Sequence, residues 1–180
     1  MAVLDIIVVP DPRLKRKCAA VAGVDAATAK LMADMLETMY DAPGVGLAAP
    51  QVGIAKRIIV VDTTRSTEPR RPLMMANPEI LWASDEKKLH EEGCLSLPEE
   101  YQDVERPDRV RVAYTDQHNA RKEIEADGLL SVVIQHEMDH LDGVLFVDHI
   151  SRLKRDIIIR RLTKQKKMQA SGRRHPSDMD

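Results

Sequence analysis

The residues best suited to chemistry lie between Val132 and Gly143, in the stretch VVIQHEMDHLDG. His136 and His140 are four residues apart, so on a helix both imidazoles project from the same face. Glu137 directly follows the first histidine, where a carboxylate can take a proton from water bound to a metal ion. The H-E-x-x-H pattern therefore predicts a metal site, although a helix with two ordinary histidines matches it too.

The third ligand decides which class of metal site this is. No glutamate follows the H-E-x-x-H motif, and Phe146 stands where the extended metzincin pattern needs another histidine. Asp148 and His149 offer ligand atoms, but at no recognised spacing. Upstream, Cys94 in HEEGCLSLPEE and Cys18 in RLKRKCAA each offer a soft thiolate ligand. We prefer Cys94, which lies beside a glycine, although most cysteines are simply small buried thiols.

A glycine-rich stretch, GVGLAAPQVG, runs from Gly44 to Gly53. Its start fits the dinucleotide pattern G-x-G-x-x-A, but that pattern needs a strand before it and a helix after it. The predicted order here is the reverse, which excludes a nucleotide site. The stretch is either a plain turn or a loop whose bare backbone lets an extended substrate lie close, with Gln51 as an amide donor.

The elements that must position these residues begin with three amphipathic helices. Asp25 can cap the first, which has one apolar face made of Leu31, Met32, Met35, Leu36 and Met39. The second runs from about Asp127 to Leu141, is followed by Gly143, and carries the H-E-x-x-H motif. Ser151 can cap the third, RLKRDIIIRRLTKQKKM.

Five further segments predict strands: RIIVVD, LMMANPEI, RVRVAYTD, ARKEIEA and VLFVDHI. The turn QHNA can join the third of them to the fourth as a hairpin. Strands and helices do not alternate regularly, so the predicted fold class is α+β.

Composition and charge narrow the class of protein. The chain has 180 residues, 43% of them hydrophobic and only 3% aromatic, as expected of one globular domain with an aliphatic core. It lacks a recognisable signal peptide and any run of ~20 apolar residues, and its two cysteines cannot form a disulfide scaffold, so we expect a cytoplasmic protein without a membrane partner. The segment from Ser151 to Asp180 contains ten basic and three acidic residues. This excess of positive charge indicates either a solvated helix face or a docking surface for an anionic partner.

Three stretches in order, GVGLAAPQVG, EGCLSLP and QHEMDHLDG, resemble the three signature motifs of the bacterial peptide deformylases. The resemblance covers about residues 3–168. It implies an α+β fold with antiparallel sheets around a central metal-binding helix, together with N-terminal and C-terminal helices. We expect a single catalytic domain over residues 1–168 and a flexible polar tail over residues 169–180.

The resemblance also implies the roles of the matching residues. Cys94, His136 and His140 bind the catalytic metal, with water in the fourth position, and Glu137 is first the general base and then the general acid. The metal in bacterial relatives is Fe²⁺, one ion per chain, and Zn²⁺, Ni²⁺ or Co²⁺ can occupy the same site. The implied reaction removes the formyl group from the initiator methionine of new polypeptides and releases formate.

The remaining implied roles concern the substrate. Gln51 and the backbone N–H of Leu95 form the oxyanion hole, and Gly46 lines the cleft with its backbone. The expected partners are N-formylmethionyl peptides and, through the basic helix at residues 151–168, the ribosome. One departure stands out, because some family members have an arginine where this chain has Tyr101. A substrate contact made by that arginine cannot be transferred to this chain.

Apolar residues near the motifs are our candidates for a methionine pocket. They are Val45, Leu129, Val132 and Val133, each of which fits an ordinary core position equally well. Glu92 either lines the same pocket or holds the loop.

Two acidic residues beside the histidines are candidates for orienting the ligands. Asp139 and Asp142 either orient the ligand imidazoles from behind or are plain surface charges; for Asp139 we consider Arg106 as a partner, and for Asp142 we favour a role near the helix end. Two alternatives to a deformylase stay open, namely another metal-dependent amidase and a non-catalytic protein with a structural metal.

Overall fold

The structure is a computed structural model, and it describes residues 2–172 of the chain. Its three α-helices within that range are α1 (Ala26–Asp41), α2 (Gly128–Leu141) and α3 (Arg152–Ala170). The strands are β1 (Gly46–Ala48), β2 (Ile58–Val61), β3 (Leu73–Ala83), β4 (Lys87–Cys94), β5 (Leu97–Pro107), β6 (Arg109–Thr115) and β7 (Arg121–Asp127). Short 3₁₀ helices occupy Pro12–Lys15, Ala49–Val52 and Phe146–His149. The α+β prediction is confirmed.

The strands form two antiparallel sheets. One has five strands in the order β1-β2-β3-β6-β7, and the other is the β4–β5 hairpin. Helix α2 contacts strands of both sheets, and all seven residues from Ser131 to Glu137 are buried, although only three of them are apolar. The helix that carries the two histidines is therefore the centre of the molecule, as predicted.

Local signals mark the start of α1 and the end of α2. The Asp25 side chain accepts a hydrogen bond from the backbone N–H of Thr28 at 2.8 Å and caps α1, whose buried face is built on Met32, Met35 and Met39. Helix α2 ends before Gly143, which has φ +73° and lies against the backbone of Lys15. A side chain at that position would meet both backbone strain and a steric clash.

The segment VLFVDHI is not a strand, so that prediction was wrong. Residues Phe146–His149 form a 3₁₀ helix instead. The Asp148 carboxylate accepts the backbone N–H of Leu145 at 2.8 Å, and this local bond supports a turn. Phe146 and Val147 are both buried, which a strand with one solvated face does not allow.

The β4–β5 hairpin was missed. Its strands contain the charged stretches KKLHEE and EEYQDVERP, which have weak strand propensity. Pairing stabilises them, in a register that runs from Lys87 opposite Pro107 to Gly93 opposite Tyr101. A bulge follows before Cys94 faces Leu97, and this bulge brings the cysteine to the centre of the molecule.

Helix α3 begins after the predicted cap Ser151, whose side chain accepts the backbone N–H of Lys154 at 3.3 Å. Ile158 and Leu162 are buried in a cluster with Phe146, so one face of α3 belongs to the core. The helix continues to Ala170, two residues past the predicted domain end, and residues 173–180 of the predicted tail lie outside the described residues. Within residues 2–172, none of the helices has both the length and the apolar character that crossing a bilayer requires.

Candidate metal centre

The structure brings three potential ligands together from two elements. Helix α2 presents His136 and His140, and the end of β4 presents Cys94. The sulfur of Cys94 lies 3.4 Å from Nε2 of His140, and the ligand atoms of the three residues all lie within 4.8 Å of one another. Both histidines are buried, so the ligand set faces an interior site rather than bulk water.

The other candidate ligands lie elsewhere. Cys18 is buried in the apolar core, where its backbone N–H donates to the carbonyl of Leu141. Asp148 forms ion pairs with Lys15 and Arg155, each at 2.7 Å. The remaining alternative is His149, whose Nε2 lies 2.8 Å from Oδ2 of Asp139. Among the described residues, the grouping that could hold a metal therefore uses Cys94 as its sulfur donor.

The two imidazoles have different surroundings. Nδ1 of His136 lies 2.8 Å from a carboxylate oxygen of Glu92, whereas Nδ1 of His140 is buried without a hydrogen-bond partner among the described residues. Burial alone would lower the pKa of His136, but the hydrogen bonds to Cys94 and Glu92 raise it well above its usual value. Burial lowers the pKa of His140 well below its usual value, so its imidazole is neutral and free to donate a lone pair.

Glu137 has the surroundings expected of a general base. Its Oε1 lies 4.0 Å from Nε2 of His136, and its Oε2 is buried without a hydrogen-bond partner among residues 2–172. Burial raises the pKa of this carboxyl group to about 7, with Glu92 contributing repulsion and His136 opposing the shift. A carboxyl group with a pKa near neutrality can both accept and return a proton.

A divalent ion fits this set of residues. One sulfur and two imidazole nitrogens are the donors that iron, zinc and cobalt prefer over magnesium. Three protein ligands leave a position open, as in catalytic rather than structural zinc sites. The unpartnered oxygen of Glu137 completes the fit, because buried polar atoms without partners are rare in folded proteins.

Gln51 is held beside the sulfur. Its Oε1 accepts the backbone N–H of Ala48 at 2.9 Å, and its Nε2 donates to Oγ of Ser96 at 3.1 Å. The same Nε2 lies 3.4 Å from the sulfur of Cys94. Leu95 follows Cys94 in the β4–β5 turn and lines the cavity described next. These contacts place the amide and the turn on the same side of the ligand set.

A cavity of about 400 Å³ opens onto Glu137 and His136. Its lining includes the residues that the sequence singled out for substrate, namely Val45, Gly46, Glu92, Leu129, Val132 and Val133. Leu129 is 53% exposed and Val45 is 45% exposed, whereas Val132 and Val133 are buried on α2. The cavity thus has an apolar floor and an apolar rim.

Tyr101 also lines the cavity and is 61% exposed. Its ring lies directly over Gly93, where a Cβ atom would come within 2.6 Å of the ring. Tyr101 therefore packs at the rim against the glycine opposite it on the neighbouring strand.

Of the two acidic residues beside the histidines, Asp139 contacts no ligand imidazole among residues 2–172. Asp139 does pair with Arg106, at 2.9 Å, but its other partner is Nε2 of His149 at 2.8 Å rather than a ligand imidazole. Glu92 is the carboxylate that contacts a ligand, His136. The contacts of Asp139 are thus with Arg106 and His149, and an orienting role for it would act through Arg106.

The second acidic residue lies where the sequence placed it. Asp142 forms an ion pair with Arg57 at 2.9 Å, directly after the last residue of α2. Its role is at the helix end, as predicted.

Comparison with known proteins gives consistent matches. The sequence model of a family described as polypeptide deformylase matches residues 3–156. A peptide deformylase from Methylocella silvestris is 53% identical over 173 residues, covering 94% of this chain and 88% of the relative. One from Phenylobacterium zucineum is 54% identical over 167 residues, covering 93% of this chain and 99% of the relative.

Solved structures agree with the sequence matches. A crystal structure of peptide deformylase from Ehrlichia chaffeensis superposes with a TM-score of 0.89 at 38% identity, covering 94% of this chain and 99% of the other. A second structure from the same organism, in complex with actinonin, gives 0.87 at 41% identity and covers 92% of this chain and 98% of the other.

Proposed function

The chain belongs to the polypeptide deformylase family, and from this premise we propose how its residues carry out the reaction. The protein is a metal-dependent hydrolase that removes the N-formyl group from the initiator methionine of nascent polypeptides and releases formate. One observation carries the assignment of roles: the ligand atoms of two imidazoles and a sulfur lie within 4.8 Å of one another, and Cys94, His136 and Glu137, whose Oε2 has no hydrogen-bond partner among residues 2–172, line one cavity.

We assign the metal to Cys94, His136 and His140, with one ion per chain. The native ion is Fe²⁺ in this proposal, and Zn²⁺, Ni²⁺ or Co²⁺ can replace it, because a thiolate with two imidazoles suits these ions. When bound, such an ion acts as a Lewis acid and lowers the pKa of water in the open position from ~15.7 to about 7.

Glu137 moves the proton. Its unpartnered Oε2 takes the proton of the attacking water and then gives it to the leaving amine. Burial raises the pKa of this carboxyl group, so Glu137 holds the proton between the two steps more readily than an exposed glutamate would. The nearby imidazole of His136 and the packing of Gly46 against Glu137 keep the carboxylate in place.

Gln51 and the backbone N–H of Leu95 stabilise the negative charge that forms on the formyl oxygen. The Gln51 amide is held in advance by Ala48 and Ser96, and the hydrogen that it would donate to the oxyanion is the one that points at the Cys94 sulfur. A single prearranged donor of this type contributes about 3 kcal/mol in a comparable acyl-transfer site.

The apolar cavity receives the methionine side chain. Val132 and Val133 form its floor next to the ligand helix, while Leu129 and Val45 close over the side chain from the rim. Gly46 lets the substrate backbone approach Glu137, because no side chain stands between them. Glu92 lines the cavity and also holds His136, so it supports the metal as well as the pocket.

The outer face of α3 is a docking surface for the ribosome in this proposal. The exposed basic residues of α3 are Arg152, Lys154, Arg160, Arg161, Lys164, Lys166 and Lys167. They lie on a helix whose other face is anchored in the core through Ile158 and Leu162, so they form a rigid positive surface for RNA phosphates. Residues 1–168 act as one catalytic domain, and the free thiols of Cys18 and Cys94 suit a reducing cytoplasm.

Anaerobic purification with elemental analysis, coupled to a formate-release assay on formyl-Met peptides, tests this function. The proposal expects one iron per chain and formate as the product, with no acetate from acetyl-Met peptides. Glu137→Gln should keep the metal and lose turnover. An equally active Glu137→Gln protein would remove the proton-transfer role, and acetate release would favour a different amidase.

A further inference from the structure

A buried guanidinium lies behind the metal site. Arg106, on β5, is only 5% exposed and binds Glu92 through two of its nitrogens. Nε of Arg106 lies 2.6 Å from Oε2 of Glu92, and Nη2 lies 2.9 Å from Oε1. This forked geometry fixes the plane of the carboxylate as well as its position.

The carboxylate held in this way is the one that contacts a ligand. Oε1 of Glu92 accepts from Nη2 of Arg106 and also lies 2.8 Å from Nδ1 of His136. A carboxylate oxygen can only accept from a metal-binding imidazole, so Nδ1 must carry the hydrogen and Nε2 is left to face the sulfur and the ion. Rotation of Glu92 would therefore rotate or release His136.

The third contact of Arg106 reaches the ligand helix. Its Nη1 lies 2.9 Å from Oδ2 of Asp139, the residue directly before His140. Asp139 is in turn fixed by Nε2 of His149 at 2.8 Å. Arg106 thus ties together β4, β5 and α2, and two of these elements carry all three ligands.

The arrangement is asymmetric between the two histidines. Nδ1 of His140 has no corresponding partner among residues 2–172, so the position of His140 depends on the helix that carries it. On the same helical turn as His140, Arg106 contacts the side chain of Asp139. One guanidinium therefore supports His136 through Glu92 and the turn of His140 through Asp139.

We propose that Arg106 is a positioning residue of the metal centre, which holds the ligand set in its metal-binding geometry without touching the ion or the substrate. The inference rests on the proposed metal site. Removing the guanidinium leaves a buried carboxylate, Glu92, and a half-buried one, Asp139, without their shared cation, so both side chains must rearrange. The ligands on either side of them then lose their fixed orientation.

Metal affinity tests the proposal directly. The dissociation constant for Zn²⁺, measured by competition with a chelator, should rise about 10–100-fold in Arg106→Met, as for other residues that orient metal ligands. Arg57→Met is the matched control, because Arg57 also binds an acidic residue and the Leu141 carbonyl at the end of α2 but contacts no ligand. Its affinity should stay within about twofold of wild type, since no orienting contact is lost.

Arg106→Lys separates geometry from charge, because lysine keeps the positive charge but lacks the fork. The absorption spectrum of the Co²⁺-loaded protein should shift in Arg106→Lys and stay unchanged in Arg57→Met. At saturating metal, KM for formyl-Met peptides should equal that of wild type in both. If Arg106→Met does not fold without metal, Arg106→Lys and Asp139→Asn serve for the affinity measurement.

Wild-type affinity and spectrum in a folded Arg106 variant would overturn the inference while leaving the metal site intact. Failure of the wild-type protein to bind Zn²⁺ at all would instead overturn the proposed site. A raised KM at saturating metal would place Arg106 in substrate binding and also contradict the positioning role.

Discussion

Replacing Gly46 with alanine would place a methyl group against the proposed general base. A Cβ atom at Gly46 would lie 2.5 Å from Oε1 and 2.8 Å from Cγ of Glu137, and 2.8 Å from a methyl group of Val133. The strand cannot withdraw freely, because Gly46 pairs with Val61 and the neighbouring Val45 carbonyl accepts the backbone N–H of Asp62 at 2.9 Å. The Glu137 side chain must therefore move.

The required displacement sets the size of the effect. Ordinary contacts between carbon and its neighbours begin near 3.5 Å, so the carboxylate must shift by about 1 Å. A misplacement of about 1 Å can cost roughly 100-fold in rate when it disturbs a reacting group. We expect kcat of Gly46→Ala to fall by about that factor, while metal content stays at the wild-type level because the ligands are not displaced.

The assay is formate release from a formyl-Met peptide at saturating substrate, with metal content measured on the same sample. Gly23→Ala is the control, because its Cβ would meet only Oδ1 of Asn119 at 3.4 Å, far from the site. A Gly46→Ala enzyme that keeps its metal and retains kcat within about threefold of wild type would refute the steric reasoning.

Three further predictions concern the substrate pocket, the proposed general base and the basic face of α3. Leu129→Ser should raise KM for formyl-Met peptides about fivefold, since about 1 kcal/mol of apolar contact is lost. The control Leu153→Ser, at another exposed leucine on α3, should leave KM unchanged. Equal KM values for the two variants would remove Leu129 from the pocket. In metal-free protein the folded state binds the Glu137 proton more tightly than the unfolded chain does, because burial raises the pKa of this group to about 7. The free energy of unfolding should therefore fall by about 3 kcal/mol as the pH rises from 4.5 to about 7. The free energy of unfolding of Glu137→Gln, measured in urea, should lack this fall. Parallel pH profiles for the wild type and the variant would contradict the prediction. Charge reversal at Arg160 and Lys164 should weaken co-sedimentation with ribosomes without loss of deformylase activity. The remaining binding should fall as the salt concentration rises. Unchanged binding would exclude α3 as the docking surface.

The parts of the site that depend on local periodicity were predictable from the sequence. Two histidines four residues apart share a helix face wherever the helix lies, and the apolar residues around them required a buried helix. The cap at Asp25 and the glycine after α2 are signals of the same local kind. These elements agree with the structure because neighbouring residues decide them.

Features that depend on distant residues were not predictable in this way. Glu92 and His136 are 44 residues apart, and nothing in the stretch around Glu92 indicates that its carboxylate reaches an imidazole. The β4–β5 hairpin forms from charged segments whose pairing register includes a bulge, and propensity carries no information on register. Asp139 lies closer to the histidines in sequence, which explains why it was the candidate instead.

Helix α3 shows a third kind of difficulty. Its composition is dominated by arginine and lysine, so charge counting indicates a basic arm. The buried side chains of Ile158 and Leu162 nevertheless make one face part of the core. Deleting residues 151–168 would therefore expose that core, and single charge changes on the outer face are the cleaner test of docking.

X-ray absorption at the metal edge of Zn²⁺-loaded protein tests the central claim most directly. The account predicts one sulfur neighbour at about 2.3 Å together with nitrogen from two imidazoles, and loss of the sulfur in Cys94→Ala. A spectrum with only nitrogen and oxygen neighbours, unchanged by Cys94→Ala, would contradict the ligand set on which the proposed mechanism depends.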